Sequence, residues 1–383
     1  MAQPKNSIHM LDKTPLKHRW SIGHNHMSGI TARKWWQLLR EVNFDFDAVY
    51  AHRVAFISLL SLNNEFWAFL EQMLYQNKLD AVKQVHPPVF VLGHWRSGTT
   101  HLHNLLCQDA QQFAYPNTYQ AVNPYTFLTT ENINTRLFGW MLPKTRPMDN
   151  MAMSFREPQE DELGLSMACL RSLYLGITFP RLESHFAKYL TFENAEPEAR
   201  DSFKQAMEWF VLKLTLKYDK PIVIKSPSHT ARIKLLLEIY PNARFVHIHR
   251  DPYEVFVSSQ KYHDTATWYT YLQRPDRRLV DDEILRRYVT LFDGFFADRD
   301  LIPAGQFHEM SFAELEANPL EAMRKTYGAL NIPEFARAEP ILKDYIASLK
   351  SYKKNEHPTL PKHLRDRVAT EWRRSFDTWG YAR

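Results

Sequence analysis

Three cations in this chain each follow a short apolar run and stand beside glycine or hydroxyl residues, an arrangement suited to holding a small polyanion. The first is Arg96, within Gly93-His94-Trp95-Arg96-Ser97-Gly98-Thr99-Thr100. A loop of this kind between a strand and a helix turns consecutive backbone N–H groups and a helix N-terminus toward an anion. Gly93 and Gly98 let the backbone turn and approach a ligand closely. The spacing is that of an NTPase phosphate loop, G-x-x-x-x-G-K-[ST], but Thr99 stands where the phosphate-clamping lysine belongs and the charge has moved forward to Arg96. The second cation is Arg250, in His249-Arg250-Asp251-Pro252, with Ser258 and Ser259 on the helix expected to follow. Ser258 lies two turns in, so Arg250 and Ser258 could reach one phosphate from different sides. An arginine after a strand is, taken alone, as often an ion pair as a ligand contact. The third is Lys225, in Ile224-Lys225-Ser226-Pro227-Ser228-His229. Three cations brought to one edge repel unless an anion sits between them.

A scaffold must deliver these residues to that edge. Val89-Phe90-Val91-Leu92 is a continuous apolar run, the pattern of a strand buried on both faces. It follows the break His86-Pro87-Pro88 and leads through the glycine loop into a helix expected over Thr99–Cys107. Pro221–Lys225 and Arg244–His249 read as two further strands, followed by helices over Thr230–Tyr240 and Pro252–Gln260. Strands alternating with helices predict an α/β fold, a P-loop NTPase-like parallel sheet flanked by helices. Ligands of such sheets bind outside the carboxyl ends of the strands. Residues 1–85 read as a helical N-terminal extension, with helices over Arg33–Val42 and Tyr50–Asn77, and 86–383 as the main domain. About 130 residues without a strand pattern separate the first two strands, and their helix-rich part, at about 115–218, reads as a substrate lid or subdomain. Beyond Gln260 the chain reads as mostly helical, ending in a basic, aromatic tail from Ser351 to Arg383.

At these motifs the chain resembles the sulfotransferases that use 3′-phosphoadenosine 5′-phosphosulfate (PAPS), of the bacterial type and with similarity to the tyrosylprotein members. Gly93–Thr100 looks like their 5′-phosphosulfate loop, and Arg250 followed by Ser258 looks like their 3′-phosphate motif. Lys225-Ser226-Pro227 and Tyr240-Pro241-Asn242-Ala243-Arg244-Phe245 are similar to family segments too, and the likeness runs over about Pro88–Lys261. The resemblance implies that Arg96, Ser97, Gly98, Thr99 and Thr100 hold the 5′-phosphosulfate and that Arg250 and Ser258 hold the 3′-phosphate. It further implies that Lys225 neutralises charge at the bridging oxygen, and that a late basic segment closes over the nucleotide. Lys353 and Lys354 are the residues for that last part, with a solvated loop as the alternative. A transferring sulfuryl group carries less charge than a phosphoryl group, so no metal is expected.

An acceptor hydroxyl needs a general base. Family members draw it from a histidine, or from a glutamate soon after the phosphate loop. Here the matching stretch, Ala114-Tyr115-Pro116-Asn117-Thr118-Tyr119, holds no carboxylate. The candidate is instead Pro158-Gln159-Glu160-Asp161-Glu162. Pro158 suits the first turn of a helix, where acids are favoured, and three adjacent carboxylates repel, which could lift one of them toward a useful base. A solvated acidic helix start is the alternative; a similar acidic segment in bacterial-type sulfotransferases favours a catalytic one. Glu160 ranks first, then Glu162, then Asp161, with His229 in reserve. Met148, Met151, Met153 and Phe155 in the insertion point to a partly apolar pocket and hence a small or lipid-like hydroxyl acceptor, with a carbohydrate as second choice.

The whole chain is compatible with this reading. Its 383 residues carry 48 Lys+Arg against 43 Asp+Glu, too mild a balance to indicate a nucleic-acid partner. Apolar residues at 44% and charged residues at 24% belong to a globular protein, not a disordered one. Two cysteines, Cys107 and Cys169, allow no disulfide framework and read as buried apolar residues in a reducing setting. No secretory signal is evident at the N-terminus, so the cytoplasm is the expected location. The apolar stretch Val54–Leu74 reads as a packed helix, with docking at a membrane surface as its alternative. His247 and His249 share a strand face, but without a carboxylate or cysteine at matching spacing a metal is not expected there. Trp372, Phe376, Trp379 and Tyr381 read as apolar anchors of a terminal helix. The rival functions are a nucleotide kinase or NTPase with a degenerate loop, and a nucleotide-binding protein without catalysis.

Overall fold

The computed structural model describes residues 16–141, 153–349 and 359–383. Among them, four parallel strands form one sheet in the order β2-β1-β3-β4. These are β1 (Val89–Leu92), β2 (Val223–Lys225), β3 (Arg244–His249) and β4 (Phe307–Ser311). Strand β1 is central, with Val89 opposite Val223 on one side and Arg244 on the other. All four of its residues are buried, which is why its sequence is apolar without alternation.

The α/β fold class and the first three strands are as the sequence predicts. The fourth strand is an addition to the mostly helical reading of the C-terminal part, which foresaw no strand there. Phe307-His308-Glu309-Met310-Ser311 is an edge strand in which only Met310 is buried, so no apolar run announces it. Its pairing is decided by its neighbour: Glu309 lies in register with His247 of β3 and meets its Nδ1 at 2.8 Å.

The sheet separates two buried clusters. Phe90, Leu92, Ile224 and Phe245 face the larger one; Val89, Val91, Val223, Val246 and Ile248 face the other. Helix α1 (Ala32–Glu41) and helix α2 (Ala51–Asp80) contribute Trp35, Leu38, Leu39, Val54 and Ile57 to the larger cluster. The insertion contributes Leu165, Met167, Phe186, Phe203, Met207 and Phe210 to the same cluster. Thus neither the N-terminal helices nor the insertion has a separate core; both are built onto one face of the sheet. Trp372 stacks on Tyr288 with ring centroids 3.6 Å apart, and Phe376 is buried beside Tyr253, so the terminal aromatics are the anchors expected. Cys107 and Cys169 are free and buried.

Helix α3 (Thr99–Cys107) follows the glycine loop over the bounds expected. The helix expected over Thr230–Tyr240 is instead a 3-10 turn, Pro227–Ala231, and a short α-helix, Ile233–Ile239. From β1 the chain crosses to β2 on one side, while from β3 it crosses to β4 on the other. The crevice between the ends of β1 and β3 is therefore the switch point of the sheet, where ligands of open α/β folds bind.

Candidate active site

The loop after β1 opens onto this crevice. Gly93 has φ 144° and Gly98 φ 100°, and a Cβ at either would lie 2.5 Å from the Ile248 carbonyl oxygen or 2.3 Å from the Phe312 ring. Glycine is required at both positions by conformation and by space. Arg96, a non-glycine residue, is also left-handed at φ 72°, a strain of about 1–3 kcal/mol of the kind found at ligand clamps. Ser97 closes the turn: its amide and its hydroxyl both donate to the His94 carbonyl, at 3.1 and 2.7 Å. Thr230 ties the loop to the β2 side by accepting from the Gly93 amide at 2.7 Å. Thr99 and Thr100 open α3, and both line the crevice together with Arg96.

Arg250, at the end of β3, reaches the loop from the other side. Its Nη1 donates to the Arg96 carbonyl at 3.3 Å, while Nε of Arg96 donates to Ser258 Oγ at 2.9 Å. The Arg250 guanidinium lies 4.5 Å from the centroid of the Phe312 ring, which also covers Gly98. Phe312 follows the unforeseen strand β4, and nothing in the sequence short of that pairing could have found it. Arg96, Arg250 and Ser258 are thus brought together as the sequence predicts. The electrostatic argument needs revision, because Arg250 is paired with Glu254 at 2.6 Å and Lys225 with Glu160 at 2.7 Å. Carboxylates of the protein itself offset the repulsion among the cations.

The three consecutive acids do not stand side by side. Glu160 Oε1 accepts from Lys225, Asp161 Oδ2 meets His229 Nε2 at 2.7 Å, and Glu162 takes a bidentate bond from Arg232 at 2.7 and 3.0 Å. An acidic run, 160–162, therefore pairs in order with a basic run at 225, 229 and 232. Burial alone would raise the Glu162 carboxyl, but Arg232, with smaller help from His229 and Ser172, holds it below the ordinary carboxylate range. Mutual repulsion consequently does not lift this one of the three acids. Asp161, Glu162, His229 and Arg232 are all fully buried, so Asp161, Glu162 and the reserve base His229 offer no face to an acceptor. Glu160 alone of the three acids lines the crevice.

Pro158 does not start a helix either. Residue 158 forms a bridge to Asn117, Thr118 N donates to the Glu157 carbonyl at 2.9 Å, and the helix begins at Glu162. The stretch that lacks a carboxylate thus binds, through its backbone, the stretch that carries one. The second oxygen of Glu160 accepts from the Tyr174 hydroxyl, and Tyr174 in turn accepts from Trp95 Nε1 at 3.0 Å. Burial, and then the Glu160 charge, hold Tyr174 well above the ordinary tyrosine value, so it remains a proton donor. Trp95 and Tyr174 were missed because a tryptophan within the loop and a tyrosine in an apolar helix look like core residues.

The crevice has a volume of about 310 Å³, with Trp95, Met153, Leu163, Tyr174, Tyr262 and Tyr269 among its walls. Met153 is where a pocket residue was expected; Phe155 packs instead on Tyr119 at 5.6 Å. Glu157, also missed, lines the crevice beside Glu160. Lys353, Lys354, Met148 and Met151 lie outside the described residues. His249 anchors the C-terminus by stacking on Trp379 at 4.7 Å, while His247 stacks on Phe295 at 4.1 Å. Among the described residues, no group of three His, Cys, Asp or Glu side chains could hold a metal ion.

Residues 87–337 match the family model described as the sulfotransferase family, and so span the sheet, the insertion and every crevice element above. The chain belongs to the sulfotransferase family. Omega-hydroxy-beta-dihydromenaquinone-9 sulfotransferase Stf3 of Mycobacterium bovis is 32% identical over 355 residues, covering 93% of this chain and 91% of that protein. The protein of the same name from Mycobacterium tuberculosis matches to the same extent. The fold is similar to crystal structures of sulfotransferase STF9 from Mycobacterium avium and STF1 from M. tuberculosis H37Rv. STF9 gives a TM-score of 0.66 at 19% identity, covering 91% of this chain and 96% of that one. STF1 gives 0.58 at 17% identity, covering 88% and 92%. This sulfotransferase moves a sulfuryl group from PAPS to a hydroxyl-bearing acceptor. The kinase reading of the glycine loop falls, with Thr99 in place of lysine as its sequence signature.

Proposed function

We propose that the acceptor is an apolar, lipid-like alcohol and that Glu160 removes its proton. The observation that carries this reading is the position of Glu160 in an aromatic-walled crevice, held by Lys225 and Tyr174, beside the loop that carries Arg96. A carboxylate fixed at both oxygens is oriented without rearrangement when the hydroxyl arrives, which favours a single attack geometry. Lys225 stands next to it and can follow the charge: as Glu160 takes up the proton, the lysine is released to offset negative charge on the leaving phosphate. PAPS, when bound, supplies the activated sulfuryl group. The donor set suits it: a strained glycine loop at a helix N-terminus for the 5′ end, and Arg250 and Ser258 meeting at Arg96 for the 3′-phosphate. Ser97 shapes the loop through its own side chain, leaving backbone N–H groups of Gly98, Thr99 and Thr100 for the anion.

The two Stf3 proteins act, by their name, on an omega-hydroxy-beta-dihydromenaquinone, and the apolar walls of the crevice support an acceptor of that general character here. The test is transfer of labelled sulfate from PAPS to long-chain ω-hydroxy isoprenoids and, in parallel, to mono- and oligosaccharides. Preference for the sugars would overturn the acceptor class. For the base, Glu160→Gln should retain affinity for adenosine 3′,5′-bisphosphate while turnover falls by about 10²–10⁴-fold. Unchanged turnover would remove Glu160 from the reaction.

A further inference from the structure

Helix α2 carries an apolar stripe that the fold leaves uncovered. Leu59, Leu62, Phe66, Phe69 and Met73 repeat every three or four residues on its outer side, with Leu74 beside them, and all six are 57–69% exposed. The stripe runs about 21 Å at the helical rise per residue. A surface helix normally turns charge to water on that side. Here the two carboxylates between Ala55 and Asn77 are engaged elsewhere: Glu65 meets Arg33 at 3.1 Å, and Glu71 is buried against Lys213. The remaining exposed residues of the outer side are neutral, such as Asn63 and Gln72. Among the described residues no helix is long and apolar enough to cross a membrane.

Two features identify what covers the stripe. First, cations border it. A groove along its edge is lined by Arg33 and Lys34 together with Leu62, Phe66 and Phe69, and the Arg33 side chain is 84% exposed despite its ion pair. From Leu16 to Arg40 the chain holds five Lys or Arg and no Asp or Glu. Second, the helix that carries the stripe is tied at its N-terminal end to the active-site crevice. Its period continues back through Ala55 to His52, on which Trp20 packs at 5.1 Å. The next residue, Arg53, donates to the carbonyls of Trp268 and Tyr271, which bracket the crevice residues Tyr269 and Thr270.

We propose that α2 is a membrane-docking surface: its apolar stripe lies in the interface of an anionic bilayer, with Arg33 and Lys34 among the headgroups and the crevice mouth turned to the lipid. Apolar burial supplies the insertion and the cations supply the preference for negative lipid. This rests on the lipid-like acceptor read above, since such a molecule would have to pass from the bilayer into the crevice.

The experiment is co-sedimentation of the full chain with vesicles of phosphatidylcholine alone and of a phosphatidylcholine–phosphatidylglycerol mixture. The chain should bind the mixed vesicles, and Phe66→Glu/Phe69→Glu should weaken that binding at least about tenfold. Both proteins should keep the same affinity for adenosine 3′,5′-bisphosphate, which shows that the variant is folded. Arg33→Ala/Lys34→Ala should lose affinity for the mixed vesicles and none for neutral ones. Equal sedimentation of wild type and the phenylalanine variant, or no binding to either vesicle, overturns the proposal. So does a wild-type dimer in ultracentrifugation that the same variant converts to monomer without vesicle binding. Vesicle binding by a chain that transfers sulfate only to sugars would uphold the surface and overturn the acceptor.

Discussion

Glu160 has a donor on each oxygen, and the two can be removed separately. Tyr174 donates to Oε2 and cannot itself ionise near neutral pH, so it stabilises the charged carboxylate. In Tyr174→Phe that oxygen loses its donor, and kcat should fall by about 10- to 100-fold, the equivalent of one hydrogen bond to a charged group, while affinity for adenosine 3′,5′-bisphosphate is kept. A tyrosine with a purely structural role would lower both together. At the nucleotide end, Arg250→Ala or Arg96→Ala should weaken binding of adenosine 3′,5′-bisphosphate by about 10- to 100-fold, read by calorimetry, as expected for loss of charge-assisted bonds to phosphate. Full affinity in both variants would remove these arginines from the site.

At the scale of elements, the order of acid–cation pairs fixes the segment that carries Glu160 against the end of β2. Glu162 and Arg232 form a fully buried rung, and Ser172, which begins the helix bearing Tyr174, donates to the same carboxylate. Removing one partner leaves an uncompensated buried charge, so Glu162→Ala should cost about 3–5 kcal/mol in denaturant unfolding, with activity lost through displacement of Glu160 and Tyr174. The loop is equally intolerant. Gly98→Ala would place a methyl group against Phe312 in a left-handed backbone, and should abolish bisphosphate binding while the rest of the fold survives. Retained binding would show that Phe312 yields.

The molecule as a whole keeps several histidines neutral. Burial lowers His94, His103 and His263 to about 3, and His26 and His249 to about 4, against an ordinary 6.5. Each folded-state value lies below the unfolded one. Their contribution to stability is therefore complete above pH 6.5 and declines, by up to about 1.4 kcal/mol per group and pH unit, as acid is added toward the folded value. The depressed Glu162 carboxyl extends the loss further, below its ordinary 4.5. Calorimetric Tm should fall clearly between about pH 7.5 and pH 5.5. A flat Tm over that interval would show the imidazoles to be hydrated.

Signals confined to a few neighbouring residues were legible in advance. Strand β1, the glycine loop and helix α3 are written in a both-faces apolar run and two glycines at fixed spacing, and neither depends on distant partners. With the same local logic the sequence determined that Arg96 and Arg250 would meet at one sheet edge. What it left open was which of the three acids faces the crevice. That was decided by contacts spanning 65 to 70 residues: Lys225, His229 and Arg232 each claim one carboxylate, and only the exposure of the crevice separates Glu160 from its neighbours. Strand β4 and Phe312 were hidden for the same physical reason, since an edge strand with one buried residue exists only by pairing with β3. The exposed face of α2 was settled in the same way: its apolar residues fall on more than one side, and only the packed fold shows which of them the core covers and which remain outside.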